Sequence, residues 1–171
     1  MKLAGLLIGL CLILAGCGYH LRGSTLQLDS QATVQLQNIS APDAYQQLHQ
    51  ALSRSGIVLV SAQPDYRIQL INEQVNQRVA AIARDGLAQD YEVQYQLVYR
   101  LDTLNDQASD NEQSNSDTQV IALTREYAYD RVTVLGNSDQ QRILVDGMRN
   151  DAINSLLRRL QAKLASDIDD Q

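Results

Sequence analysis

The chain has 171 residues, with 14 Lys and Arg against 20 Asp and Glu, for a net charge of −6. An acidic chain with no basic stretch is a poor general binder of nucleic acid, so that class is excluded first. Phe and Trp are absent and Tyr supplies every aromatic side chain, while the hydrophobic content is ample for one compact core.

Met1 and Lys2 give a short positive start, followed by the apolar run LAGLLIGLCLIL at residues 3–14. The run is too short to span a bilayer, which takes about 20 apolar residues. Charge, a short apolar core and small residues at a cut are the anatomy of a secretory signal. Here the small residues lead to a cysteine, in Leu14, Ala15, Gly16 and Cys17. This tetrapeptide resembles the bacterial lipobox. The resemblance implies cleavage before Cys17, an S-diacylglycerol on its thiol and an N-palmitoyl group on its new amino group. Several acyl chains hold a protein firmly, at about 0.8 kcal/mol per buried CH2. The expected divisions are a signal at 1–16, a lipidated tether at 17–31, one domain at 32–166 and an acidic tail at 167–171. Loss of the signal takes away Lys2 and Cys11, leaving 155 residues with a charge of −7. With Cys17 acylated, no thiol is left for a disulfide or a metal. Gly18 follows Cys17, where lipoproteins kept on the inner membrane tend to have Asp, so the outer membrane is expected.

Residues 32–39 (ATVQLQNI) alternate as a half-buried strand does. Pro42 and Asp43 then suit a helix's first turn. Ala44, Leu48, Ala51 and Leu52 share one helical face, and Gly56 makes a stop. Residues 57–60 (IVLV) start a short apolar strand. A long strand is expected from Tyr66, regular at Ile68 and Leu70 and irregular through Val75 and Val79 to Ile82. Asp85 and Gly86 form a hairpin signal after it. Tyr91, Val93, Tyr95, Leu97, Tyr99 and Leu101 then alternate with mostly polar residues, as a sheet with one covered face requires. Residues 105–117 (NDQASDNEQSNSD) are expected to be a flexible polar loop. Ile121, Leu123, Tyr127 and Tyr129 share the face of a further strand, with Arg125 between them. Residues 136–139 (GNSD) are expected to form a turn and a cap. A long helix follows from Gln140 to Ala165, on the four-residue repeat of Leu144, Met148, Ala152, Leu156, Leu160 and Leu164. The sum is an α+β domain of order β-α-β-β-β-α. Two amphipathic helices pack on one face of a roughly four-stranded sheet.

Catalytic apparatus is not visible. His20 adjoins the lipid site and His49 sits among polar neighbours on the first helix. No histidine cluster has metal spacing, no Gly-rich loop opens a helix, and no Gly-x-Ser-x-Gly is present. No enzyme, cofactor or metal is expected. Three features suit binding. Arg84 tips a hairpin reached by the apolar run at residues 79–83, an arrangement that fits an amphiphile with anionic head groups. A buried strand with a charged turn accounts for the same residues. Tyr91, Tyr95, Tyr99, Tyr127 and Tyr129 form a tyrosine set whose alternation points to core packing rather than an exposed platform. Arg149, Arg158 and Arg159 on the last helix read as a solvated face.

The heptad Cys17, Gly18, Tyr19, His20, Leu21, Arg22 and Gly23 resembles the mature start of LptE, the lipopolysaccharide-assembly lipoprotein family. That family commonly opens with Cys-Gly, an aromatic residue and His-Leu-Arg. The order of the remaining segments resembles it too, through residues 82–86 (IARDG), 91–93 (YEV), 124–127 (TREY) and 156–160 (LLRRL). The resemblance implies a plug in the lumen of the outer-membrane β-barrel LptD, in the translocon that delivers lipopolysaccharide to the cell surface. Arg84 matches a basic position implicated in lipopolysaccharide contact. A second basic position, just before the last helix, is replaced here by Gly136, Asn137 and Ser138. Two other readings stay open: a free-standing lipoprotein binding a small amphiphile or cell-wall component, and a lipoprotein hydrolase.

Overall fold

The computed structural model describes residues 32–104, 117–129 and 134–169. In chain order these form β1 (Thr33–Asn38), α1 (Pro42–Arg54), β2 (Val58–Leu59), β3 (Tyr66–Ile82), β4 (Ala88–Thr103), β5 (Gln119–Ala128) and α2 (Val134–Asp169). The sheet order is β2-β1-β3-β4-β5. β1 runs parallel to β2 and β3, while β3, β4 and β5 form an antiparallel meander. This is the expected α+β layering with one added strand. The tight return at Ile57 does pair, through Thr33 with Val58 and Val34 with Leu59, giving five strands rather than about four.

α1 starts where the sequence places it. Pro42 occupies its first turn. Asn38 Oδ1 accepts the Ala41 amide at 2.8 Å, and Glu73 Oε2 accepts that of Ala44 at 3.1 Å. Both side-chain oxygens lie at the positive end of the helix dipole. Gly56 ends the turn with φ +81°, a conformation glycine adopts without steric cost. Ala44, Leu48 and Leu52 are buried against the sheet.

α2 buries Met148, Ala152, Ile153, Leu156, Leu157, Leu160 and Leu164. They pack onto Tyr66, Ile68 and Leu70 of β3, Val93, Tyr95, Leu97 and Tyr99 of β4, and Ile121 of β5. The alternation in β4 thus faces the helices, as its sequence requires. α2 departs from expectation at both ends. The residues expected as a turn and cap, Gly136 to Asp139, lie inside the helix. At the other end the helix runs through Asp167, which accepts a 2.5 Å bond from the Tyr66 hydroxyl rather than beginning a tail.

A bulge between Leu70 and Asn72 explains the irregular pattern of β3. Before it, Tyr66, Ile68 and Leu70 face the helices. After it the parity reverses, and Glu73, Val75, Gln77 and Val79 pair with Leu97, Tyr95, Val93 and Tyr91. β1 has ended by then, at Asn38 opposite Leu70. The β3–β4 hairpin therefore continues beyond β1 by some ten residues, roughly 30 Å at strand rise.

Candidate functional site at the hairpin tip and the amide face

The tip is built by Ala83, Arg84, Asp85 and Gly86. The Ala83 amide donates to Leu87 O at 2.8 Å, and the Gly86 amide donates to Ala83 O at 2.9 Å. Gly86 has φ +80°, and a methyl group added there would meet nothing within 4 Å, so the glycine serves its backbone and not the space around it. Asp85 Oδ1 accepts the Leu87 amide at 3.2 Å. The hairpin expected from Asp85 and Gly86 is thus present, and it holds Arg84 exposed. Beside it, Ile82 is 67% exposed and Leu87 54%. The same short loop presents a guanidinium and two bare aliphatic side chains. Such a pair of properties suits a molecule with an anionic head group and apolar chains.

Behind the tip the tyrosines divide. Tyr95 and Tyr99 are fully buried under α2, as the alternation predicts. Tyr91 is half-buried, stacked on Tyr127 at 5.8 Å and edge-on to Tyr129 at 5.2 Å. The Tyr127 hydroxyl accepts from Gln77 Nε2 at 3.0 Å, and Gln141 of α2 donates to Gln77 at 2.7 Å. This cluster stiffens the distal hairpin against the first turns of α2.

Among the described residues, the opposite face of the sheet carries no helix, and it is lined by long polar side chains. Arg67 Nε donates to Gln35 Oε1 at 2.9 Å, Gln69 to Gln37 at 2.8 Å, and Gln37 to Gln35 at 3.1 Å. Farther along, Gln74 pairs across strands with Gln96, and Asn76 with Gln94. Arg78 grips Glu92 through two 2.7 Å bonds, and Gln94 adds a third to the same carboxylate. These bonds hold the Glu92 carboxyl below its ordinary range, with the Arg78 hydrogen bond the largest cause.

Of the three arginines expected on a solvated face, Arg149 lies elsewhere. Arg149 is 12% exposed and bonds Glu73 at 2.6 Å, Asp146 at 2.7 Å and Asp43 at 3.4 Å. Arg159 donates to the buried Tyr99 hydroxyl at 2.7 Å. Arg158 and Arg159 are exposed, as expected, and so is His49. The signal missed for Arg149 was Glu73, whose inward direction depends on the bulge. Cys17 and the lipobox lie outside the described residues, as do His20 and residues 105–116. Among the described residues no helix is long and apolar enough to cross a membrane.

The architecture is shared with solved structures. Rare lipoprotein B from Shewanella oneidensis matches at TM-score 0.65 and 19% identity, over 77% of this chain and 97% of that one. Uncharacterized lipoprotein B from Nitrosomonas europaea matches at TM-score 0.69 and 19% identity, over 90% of this chain and 97% of that one. The chain has the lipoprotein B fold. A minor lipoprotein from Acinetobacter baumannii has it too, at TM-score 0.55 and 14% identity, over 78% of this chain and 93% of that one. All three neighbours are described as lipoproteins, in agreement with the lipobox read at Cys17. At such identities the likeness is one of fold. No family model matches the chain, and no curated protein matches it.

Proposed function

We propose that this chain is an outer-membrane lipoprotein of the lipopolysaccharide translocon. It is anchored through acylated Cys17 on the periplasmic side, and it plugs an LptD-type β-barrel and assists its assembly. The observation that carries the reading is the lipoprotein B fold with one sheet face left to hydrogen-bonding amides. A barrel lumen is polar. A plug needs a packed core on one side and an outer surface that bonds to polar walls on the other. Gln35, Gln37, Gln69, Gln74, Gln94 and Gln96 supply that surface. The role is structural, with no catalytic step and no cofactor.

In this reading the tip meets lipopolysaccharide, whose lipid phosphates pair with Arg84 while Ile82 and Leu87 lie along its acyl chains. Two experiments test the reading. Cys17→Ala should leave the fold intact and release or mislocalise the protein on fractionation; full retention would show that lipid is not its main tether. Purified lipopolysaccharide titrated against the wild type and Arg84→Glu should bind the variant more weakly, with Arg54→Glu on α1 as a charge-matched control. Equal binding by all three would remove Arg84 from the contact.

A further inference from the structure

Gly147 divides α2 into two parts that are held differently. From Met148 to Leu164 seven side chains are buried against the sheet. From Ser138 to Gly147 none is buried; Ile143 is 65% exposed, and Leu144 and Val145 are half-buried. The polar anchors follow the same division. Just past Gly147, Arg149 reaches Glu73 of β3 and Asp43 of α1, and Asp151 reaches Arg125 of β5, so the helix is fastened at both sides of the sheet. Ahead of Gly147, Gln141 donates to Gln77 of β3 at 2.7 Å, a neutral bond whose net contribution is about 1 kcal/mol. Local chemistry adds little there. The first turn carries no acidic residue to meet the helix dipole. Gly136, Asn137 and Gly147 are poor helix formers, each glycine costing about 1 kcal/mol relative to alanine. A helix of about 12 residues is marginal in water without packing.

We propose that α2 is hinged at Asp146 and Gly147. The part from Val134 to Val145 lifts from the β3–β4 hairpin as one unit. Asp146, held by Arg149 at 2.7 Å, and the helix beyond it stay packed. Lifting breaks the Gln141–Gln77 bond. It uncovers the helix side of the hairpin, where Val75 and Val79 flank Gln77 and pair with Tyr95 and Tyr91 of β4. That strip runs toward Ile82 and Leu87 at the tip, so opening extends the apolar surface behind Arg84. The lifted part, deprived of its packing, unwinds and exposes its amides to solvent. Local openings of this kind have free energies well below that of global unfolding. The device belongs to the chain itself, and it does not rest on the barrel or lipid contact proposed above.

The test is residue-resolved hydrogen exchange of the full-length chain in detergent, corrected for intrinsic rates. Amides 140–145 should share one protection level and exchange at least about 100-fold faster than amides 152–160, with a step at Gly147. Two conservative variants separate a hinge from global unfolding. Ile153→Val loosens the packed part, and should speed amides 152–160 by about two- to tenfold while leaving amides 140–145 unchanged. Gly147→Ala favours an unbroken helix, and should slow amides 140–145 by about two- to fivefold. Circular dichroism verifies the fold of both. Protection that declines smoothly from 160 to 140 without a step would overturn the proposal. So would amides 140–145 as slow as 152–160, acceleration of both groups alike by Ile153→Val, or indifference of amides 140–145 to Gly147→Ala.

Discussion

Arg149 of α2 and Glu73 of β3 meet at 2.6 Å, with side chains 12% and 9% exposed, at the point where both helices reach the sheet. The second oxygen of Glu73 accepts the Ala44 amide at the start of α1. One carboxylate thus ties α1, β3 and α2 together. Removing one partner strands the other near the core, and breaking such a pair costs about 3 kcal/mol. Urea unfolding of Arg149→Met should show a loss of that order. The double variant Arg149→Met, Glu73→Met should lose less than the two single losses combined. Additive losses would mean that the pair does not act as a unit.

The Arg78–Glu92 pair gives the acid limb. The folded carboxyl of Glu92 lies below its ordinary value, with Arg78 the largest cause. Its contribution is therefore complete above the unfolded Glu range, near pH ~4.3, and is lost as pH falls through the lower folded value. Arg78→Met should flatten the dependence of stability on pH below that range. An unchanged acid limb would show the pair to be without effect.

Tyrosine sets the alkaline limb. Burial, then the bond to Asp167, pushes the Tyr66 hydroxyl well up, and burial followed by the Glu73 charge does the same for Tyr95. Folded values above the unfolded one, about 10, give stability that is complete below that pH and lost as pH rises. Tyr66→Phe and Tyr95→Phe should both resist alkali better than the wild type, read as the midpoint of base-induced unfolding. Tyr66→Phe should also weaken the protein at neutral pH, because it frees the end of α2.

Two glycines should respond with opposite signs. Gly86 has φ +80°, so Gly86→Ala should cost about 1–2 kcal/mol through backbone strain alone. Gly147 lies within α2, and a methyl there would meet only Arg125 Nη1, at 3.4 Å. That atom ends a flexible side chain and can shift. Gly147→Ala should then stabilise by about 0.5–1 kcal/mol, the helix-propensity difference. Thermal melts of both variants check the pair.

Much of this was legible because the core faces are periodic. The tyrosine alternation from Tyr91 to Tyr99 and the leucine repeat of α2 each predict a buried face, and both faces are buried apart from the half-buried Tyr91 and Leu144 at their ends. The tip was legible because Asp85 and Gly86 are local turn chemistry. What escaped depends on one residue, Ile71. It is the extra residue at the bulge, and it reverses every side chain of β3 after it. Period-two reading loses the strand there, and with it Glu73 and Arg149. The start of α2 escaped for another reason. Gly136 and Asn137 are poor helix formers, so their local preference argues for a turn. The helix begins before them all the same, at Val134.

The most direct measurement of the central claim is affinity purification of the tagged full-length protein from detergent-solubilised outer membranes. Mass spectrometry then identifies what comes with it. The plug reading predicts one large β-barrel in near-stoichiometric amount. Recovery of the chain with no barrel would contradict it, leaving a lipid-anchored domain whose ligand must be sought directly.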